Sequence, residues 1–516
     1  MSIYTAMTRI EKNILACATT IFLFSSTTIY CQEVKLKIID DFIQTSIEKW
    51  NAPGVAVAIV HDDSIIFAKG YGVRDIESKE PVNQHTIFQI CSVTKTFTAV
   101  GIGMLIQDGL LDWDDPVVDH FPTFQMSESY ASRETTIRDL LSHRCGLPMY
   151  CLAPIMFIRQ DYSLDEIIRR IRYVDPAYPF RSSFQYTNAT FLVAGKLISI
   201  YGNKDWEDYI KQRIFSQIQM TSSFTNTSEI NGTNQLNIAK PHALLNNEIT
   251  VVDDQIGQKC QAAGAIASTA SDMAQWIKVI INEGKYQGEI IVASEIFNEM
   301  FTPQVVIRPM GFWETPYAKA NFLTYGLGWF IHDFAGEKII EHGGGSTGYR
   351  ATLSIVPERD FGLVVLSNLG NTNIPEAIRY KILDVYFGDD STDWNDYYLE
   401  KSRIANQTSL QKELKVKESR VHDSTHSLPI KKYAGTFKHK LIGEIEISFA
   451  TESLRMYFGQ GTSNRGTLTH WHFNTFKLFW DNETIEEDYI TFHIDEFGEV
   501  SELEIPSYGL FEKIRE

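Results

Sequence analysis

The sequence predicts an α+β fold in two parts. A large domain packs one antiparallel sheet against helices, and a small antiparallel β-barrel or sandwich follows at the C-terminus. Three observations carry this expectation. A chain of 516 residues is too long for one ordinary core. Strand-like stretches at 54–72 and 325–368 flank a middle region, 86–300, that reads as mostly helical with Pro- and Gly-marked breaks. Beyond Pro429 the pattern changes to short alternating runs such as "EIEISFA", "SLRMYFG" and "DYITFHI".

Taken in order, residues 1–31 read as a signal peptide: Arg9 and Lys12 precede the apolar run "ILACATTIFLF" (14–24), which is short for a permanent membrane span. The body is then expected to be exported, periplasmic or secreted, with the membrane touched only through an uncleaved N-terminal anchor. "KLKIIDDFIQTSIEKW" (35–50) has helical spacing, and "GVAVAIVHDDSIIFAKGYG" (54–72) reads as two strands around a polar turn. The large domain is set at 32–391. The polar stretch 392–428 is read as a linker with some helix, and 429–516 as the β-rich domain.

Composition, 44% hydrophobic and 22% charged, is that of a folded soluble chain, and a net charge of −18 excludes attraction to nucleic acid or anionic membrane. Cys91, Cys145, Cys151 and Cys260 are too few and scattered for a disulfide scaffold; an oxidising compartment would allow Cys145 and Cys151 to bridge, but the sequence does not fix connectivity. "SHRCG" puts His143 beside Cys145 with no second ligand pair, so no metal is expected. His470 and His472 alternate on one strand and are expected to share a surface or lumen face.

Chemistry is sought first in Ser-x-x-Lys pairs, of which the chain holds three: Ser46/Lys49, Ser92/Lys95 and Ser409/Lys412. Chance alone supplies about two in a chain this long. Ser46 falls inside a helix and reads as solvent-facing, while Ser409 falls in the polar linker. Ser92 instead follows the apolar "IFQIC" and starts a helix whose apolar positions Val93, Phe97, Val100 and Met104 repeat at helical spacing before Gly109. Residues three apart meet on neighbouring turns, so Lys95 reaches Ser92, and a helix start stabilises an oxyanion. Burial or a neighbouring cation must lower the lysine pKa before it accepts a proton.

Two further stretches support this. In "FQYTNATFLVAGKLIS" (184–199), Tyr186 and Asn188 stand just ahead of an apolar helix; a phenol near a cation serves as base and acid, and a carboxamide holds a substrate amide. In "KIIEHGGGSTGYRATLSIVPE" (338–358), a strand runs into His342-Gly343-Gly344-Gly345, where glycines let a substrate approach backbone N–H groups.

These elements, in this order, resemble the serine β-lactamase and penicillin-binding-protein superfamily, in the branch of class C β-lactamases, D,D-carboxypeptidases and esterases. "TIRDLLSHRCGLP" and "AAGAIASTASDMAQW" read like further family signatures, and the resemblance covers roughly 36–385. The tail, with "YAGTF" and "LTHWHFNTF", is similar to a β-rich domain often appended to such hydrolases.

The resemblance implies Ser92 as acylated nucleophile, Lys95 as its proton acceptor or activator, and Tyr186 as deacylation base and leaving-group acid. It implies Asn188, His342 and Gly344 as substrate-binding residues, and the N–H groups of Ser92 and Gly345 as the oxyanion hole. Which of Lys95 and Tyr186 takes the first proton stays open. One position departs from the β-lactam-handling pattern: His342 stands where lysine is common. A neutral imidazole holds a carboxylate less well, and with an ordinary pKa it would gain charge as pH falls toward 6.

The expected protein is thus a cofactor-free serine hydrolase acting on a small-molecule or peptide substrate, a cell-wall peptide included, as esterase, D-amino-acid peptidase or weak β-lactamase. The rival reading is a β-lactam or muropeptide sensor that acylates and stops.

Overall fold

Val55, Val57 and Ile59 alternate with Ala56, Ala58 and Val60 along one strand, and all six are buried. Side chains of alternate residues point to opposite faces, so this strand is covered on both sides. It is β1 (Gly54–His61), and Asp62-Asp63, both with positive φ, turn it into β2 (Ser64–Gly72). The computed structural model describes residues 32–515 except 160, 227–228, 231–236, 254–256, 309–316 and 460–463; the leader assigned to 1–31 lies outside the described residues.

The sheet is completed from the far end of the domain. Strands β3 (Val305–Val306), β4 (Leu323–Tyr325), β5 (Phe330–Phe334), β6 (Glu337–Gly345), β7 (Arg350–Val356) and β8 (Phe361–Ser367) join β1 and β2 in the order β2-β1-β8-β7-β6-β5-β4-β3, antiparallel throughout. The N-terminal hairpin therefore pairs with the last strand of the domain, as strand signals at both ends predict. Helix α1 (residues 32–49) covers one face with Ile39 and Ile43.

The opposite face carries the helices that build the site: α2 (Thr94–Gln107), α3 (Ala153–Ile158), α4 (Asn188–Gly202) and α5 (Ala270–Ile281), with α5 lying against β1 and β8. Helices α6 (Ile374–Phe387) and α7 (Trp394–Glu418) complete the α1 layer. Helix α2 is buried on all sides from Thr94 to Leu105, more fully than its apolar spacing suggests. Its threonines make this tolerable: Thr96 and Thr98 donate to the carbonyls of Val93 and Ala262, and Thr94 accepts from the Ile266 N–H.

Several sequence-based expectations are corrected. Ser46 does not face solvent; it is fully buried and donates to the Phe42 carbonyl at 2.8 Å. The stretch 392–428 is mostly one helix, and Trp394, Asn395 and Tyr398 at its start are buried in the large domain. Cys145 and Cys151 are free thiols, Cys145 contacting the Asp139 carbonyl and Cys151 the Thr187 hydroxyl. The C-terminal strands, β9 (Gly435–His439), β10 (Gly443–Ala450) and six more through Lys513, close an eight-stranded antiparallel barrel. A register shift falls between His470 and His472, so the two do not alternate regularly.

Beneath the end of β6, Glu341 accepts from Arg379, from His332 at 3.3 Å and from Ser354 at 3.3 Å, and all four are buried. Burial alone would raise the Glu341 carboxyl, but the Arg379 charge and the His332 hydrogen bond hold it down at about 2. Removing one partner leaves a buried charge uncompensated. Arg379→Leu is therefore expected to cost about 3–5 kcal/mol, read as a lower urea midpoint with an unchanged m-value.

Candidate active site

The site forms where α2, α4 and β6 converge. Ser92 lies in a 3₁₀ turn, Cys91–Val93, that runs directly into α2, and Cys91 holds a left-handed φ of 49°. Such a φ is uncommon for a residue other than glycine and re-aims the chain just ahead of the serine. Lys95, one turn on, is fully buried. Its ammonium donates to Ser92 Oγ at 3.1 Å, to Asn188 Oδ1 at 2.8 Å and to the Ala263 carbonyl at 2.8 Å. All three partners are neutral, so no carboxylate offsets the desolvation, and the nearby Cys260 and Cys91 thiols do so only in part. Burial pushes the Lys95 pKa down to about 7.

Tyr186 and Asn188 arrive together on the turn into α4, where Thr187 caps the helix and Asn188 is its first residue. The Tyr186 ring lies 4.9 Å from the Lys95 amine. Burial, together with the neighbouring Tyr150, pushes the phenol well above its ordinary value, while a hydrogen bond with Ser92 pulls the other way. This turn is held from behind by His143, itself at a φ of 56°. The His143 carbonyl accepts from the Gln185 N–H at 2.8 Å and its Nδ1 accepts from the Thr187 N–H at 3.3 Å, so both neighbours of Tyr186 are pinned. His143 packs 4.5 Å from the Tyr186 ring. It serves the tyrosine backbone and belongs to no group of metal-ligating side chains among the described residues.

Strand β6 closes the other side. A Cβ at Gly344 would stand 2.2 Å from the Ile90 carbonyl oxygen and 2.9 Å from the Ser92 nitrogen, so only glycine lets the strand approach the serine. Gly344 and Gly345 line the same cavity as Ser92, Tyr186, Asn188 and His342, with a volume of about 470 Å³. Every sequence-predicted site residue except Lys95 lines this space, and Lys95 lies beneath it.

His342 differs from the expectation in one respect. It is buried, the Tyr325 hydroxyl lies 3.1 Å from its Nε2, and its Nδ1 lies 2.6 Å from the Gly343 carbonyl. A carbonyl only accepts, so Nδ1 carries the proton and Nε2 accepts from Tyr325. Burial, with Lys95 nearby, pushes the imidazole down to about 3. With the ring held that far down, no gain of charge is expected toward pH 6.

Sequence reasoning missed Tyr325 and a cation at the rim. Arg350 lines the cavity, keeps 24% of its side chain exposed, and donates to Glu376 from Nε at 3.2 Å and from Nη2. A hairpin across "GGGSTGYR" pairs Gly345 with Arg350, so its place was readable once the turn was assumed. Glu376, on α6, is brought in by tertiary packing alone.

A serine at a helix start, a lysine one turn on, a tyrosine just ahead of a second helix and a glycine-bearing strand of an antiparallel sheet define the serine β-lactamase and penicillin-binding-protein class. The chain belongs to the Beta-lactamase family, whose model matches residues 39–386; a second model, a domain of unknown function (DUF3471), matches 419–514. The unguisins hydrolase ungD of Aspergillus violaceofuscus is 26% identical over 390 residues, covering 69% of this chain and 66% of that protein, just under two thirds of its length. The octameric penicillin-binding protein homologue from Pyrococcus abyssi shares the fold at a TM-score of 0.61 and 22% identity, covering 92% of this chain and all of that one. The D-amino acid amidase from Ochrobactrum anthropi SV3 superposes at 0.55 and 20% identity, over 71% of this chain and 99% of the other.

A fixed neutral imidazole has a direct signature. The ring resonances of His342 are expected to show no titration between pH 8 and 5 by NMR, the neutral form persisting toward about 3. An inflection near 6 assigned to this ring, and lost in His342→Gln, would show that the site protonates there.

Proposed function

We propose that the protein is an exported serine hydrolase that cleaves an ester or amide through an acyl-enzyme on Ser92. The observation that carries this reading is the buried Lys95 amine, 3.1 Å from the Ser92 hydroxyl with no charged partner in its hydrogen bonds. Near neutral pH a substantial fraction of Lys95 is unprotonated, whereas the Tyr186 phenol keeps its proton. That contrast supports Lys95 as the first base.

Lys95 takes the Ser92 proton as Oγ attacks the substrate carbonyl, and the oxyanion is met by the N–H groups of Ser92 and Gly345. The tetrahedral intermediate collapses as Tyr186 gives its proton to the leaving amine or alkoxide. The phenolate left beside the Lys95 ammonium then takes a proton from water, and the hydroxide attacks the acyl carbonyl. Ser92 leaves and recovers its proton from Lys95, restoring both groups. Asn188, whose oxygen is engaged by Lys95, offers its amide N–H to the substrate.

A tyrosine set to deacylate favours turnover over a stalled sensor. The hydrolase and amidase relatives support an amide or ester substrate. Neutral His342 supplies no charge to a substrate carboxylate, which weighs against efficient β-lactam hydrolysis. Export rests on Arg9, Lys12 and the apolar run at 14–24.

Ser92→Ala is expected to abolish labelling by a fluorescent phosphonate, while Ser46→Ala and Ser409→Ala keep it. In the wild type the labelling rate should rise with pH through a midpoint near 7 and then level off, because only the unprotonated Lys95 accepts the proton. A labelled Ser92→Ala protein removes the nucleophile from this scheme.

For deacylation, Tyr186→Phe should lower turnover of a chromogenic ester by about 10²–10⁴ and leave a burst with acyl-enzyme visible by intact mass. Wild-type steady-state turnover in this variant excludes the tyrosine.

A further inference from the structure

The barrel's first hairpin spends its backbone on the large domain. Arg159 Nη1 donates to the carbonyls of Ile442 at 3.1 Å and Glu444 at 2.9 Å, and the Tyr162 hydroxyl donates to Ile442 at 3.0 Å. Arg170 donates to the carbonyls of Lys440, at 3.3 Å, and Leu441. The guanidinium groups of Arg159 and Arg170 lie 4.1 and 4.3 Å from the Tyr162 ring centroid. Arg159 is 6% exposed, and the rest of its fork is paired to Asp161 at 2.7 and 2.8 Å. At Gly443 the φ is 88°, and a Cβ would stand 2.0 Å from the Tyr162 hydroxyl. The hairpin fits only because that residue is glycine.

The segment so gripped is the wall of the cavity. Tyr150 and Phe157 line the cavity that contains Ser92, and Phe157 stands two residues before Arg159. At its other end the segment is tied to the site: the Tyr150 N–H donates to the Tyr186 carbonyl at 3.0 Å. Between them α3 is a six-residue helix, too short to hold itself. Leu152, Ile155 and Met156 anchor its inner side in the core. Its exit is fixed by Arg159.

We propose that the C-terminal barrel braces this wall, holding 150–158 so that Phe157 meets a bulky group of the substrate. The barrel is thereby a specificity element of the hydrolase, an inference that rests on the serine-hydrolase reading above. Buried arginine-to-carbonyl bonds are charge-assisted, and losing them frees both the wall and the hairpin.

The test uses the full chain with Gly443→Ala on the barrel side, Arg159→Ala on the wall side and Phe157→Ala in the cavity. Amide hydrogen exchange of 150–158 is expected to speed by about tenfold or more in the two interface variants, the size set by one charge-assisted bond. Ser92 labelling by a bulky aryl phosphonate should fall about tenfold relative to a methyl phosphonate, as for one lost pocket contact. The same interface change made in a Phe157→Ala background should add little to that loss. Thr469→Ala, exposed on the barrel strand Arg465–His472 and beyond both the hairpin and the Gly459 turn, should change neither reading.

Unchanged exchange at 150–158, or equal slowing of both phosphonates, overturns the brace. Absence of labelling in the wild type refutes the hydrolase reading instead, and the exchange measurement still decides whether the wall is braced. Should Gly443→Ala and Arg159→Ala fail to fold, Tyr162→Phe removes one hydrogen bond and keeps the ring. Faster exchange at 150–158 in that variant supports the brace, and wild-type exchange overturns it.

Discussion

An amine sealed from water, bonded to three neutral oxygens, is the constraint around which this large domain is arranged. Burying an ammonium without a counter-charge is unfavourable, and the structure meets that cost by bringing acceptors from three separate segments. Ser92 comes from the same helix, Asn188 from the first position of α4, and the Ala263 carbonyl from the segment between α4 and α5. Each must be placed to within a fraction of an ångström, which explains why α2 is buried on every side. A half-exposed helix would let water reach Lys95, and its pKa would return toward that of a free lysine.

The same burial separates the titrating groups by kind. It lowers Lys95 because the charged form is the protonated one, and raises Tyr186 because the charged form is the deprotonated one. One physical cause thus moves an amine and a phenol in opposite directions on either side of Ser92. It acts on His342 as on Lys95, but the imidazole starts lower and ends as a neutral strut between Tyr325 and the Gly343 carbonyl. The rim cation is then Arg350, held in its charged form by Glu376.

What the sequence made legible was local. Ser92 and Lys95 are one turn apart, Tyr186 and Asn188 flank a helix cap, and three glycines end a strand. Each is readable from spacing because the chain carries the relevant atoms within a few residues. The sheet was legible for the same reason, its alternating and continuous apolar runs marking strands at both ends. Burial was not legible, because it belongs to the assembled fold. Ser46 reads as a surface serine until α1 is laid on the sheet, and His342 reads as an ordinary imidazole until Tyr325 and Phe330 close over it. Some helix was legible in 392–428, but not the length or docking of α7, because most of it is polar and only Trp394, Asn395 and Tyr398 tie it down.

The barrel raises a different question, since it supplies no side chain to the cavity among the described lining residues. Its hairpin offers carbonyls, which any sequence could provide, and the specificity of the contact lies on the other side, in Arg159, Tyr162 and Arg170. Two arginines stacked on one tyrosine form a rigid donor array, while Gly443 supplies the close approach. Such an arrangement fixes position more than it adds cohesion, because each guanidinium group must be desolvated to make its bonds. A contact of that kind is expected where geometry matters. Here it stands two residues from an aromatic side chain of the cavity that holds the serine.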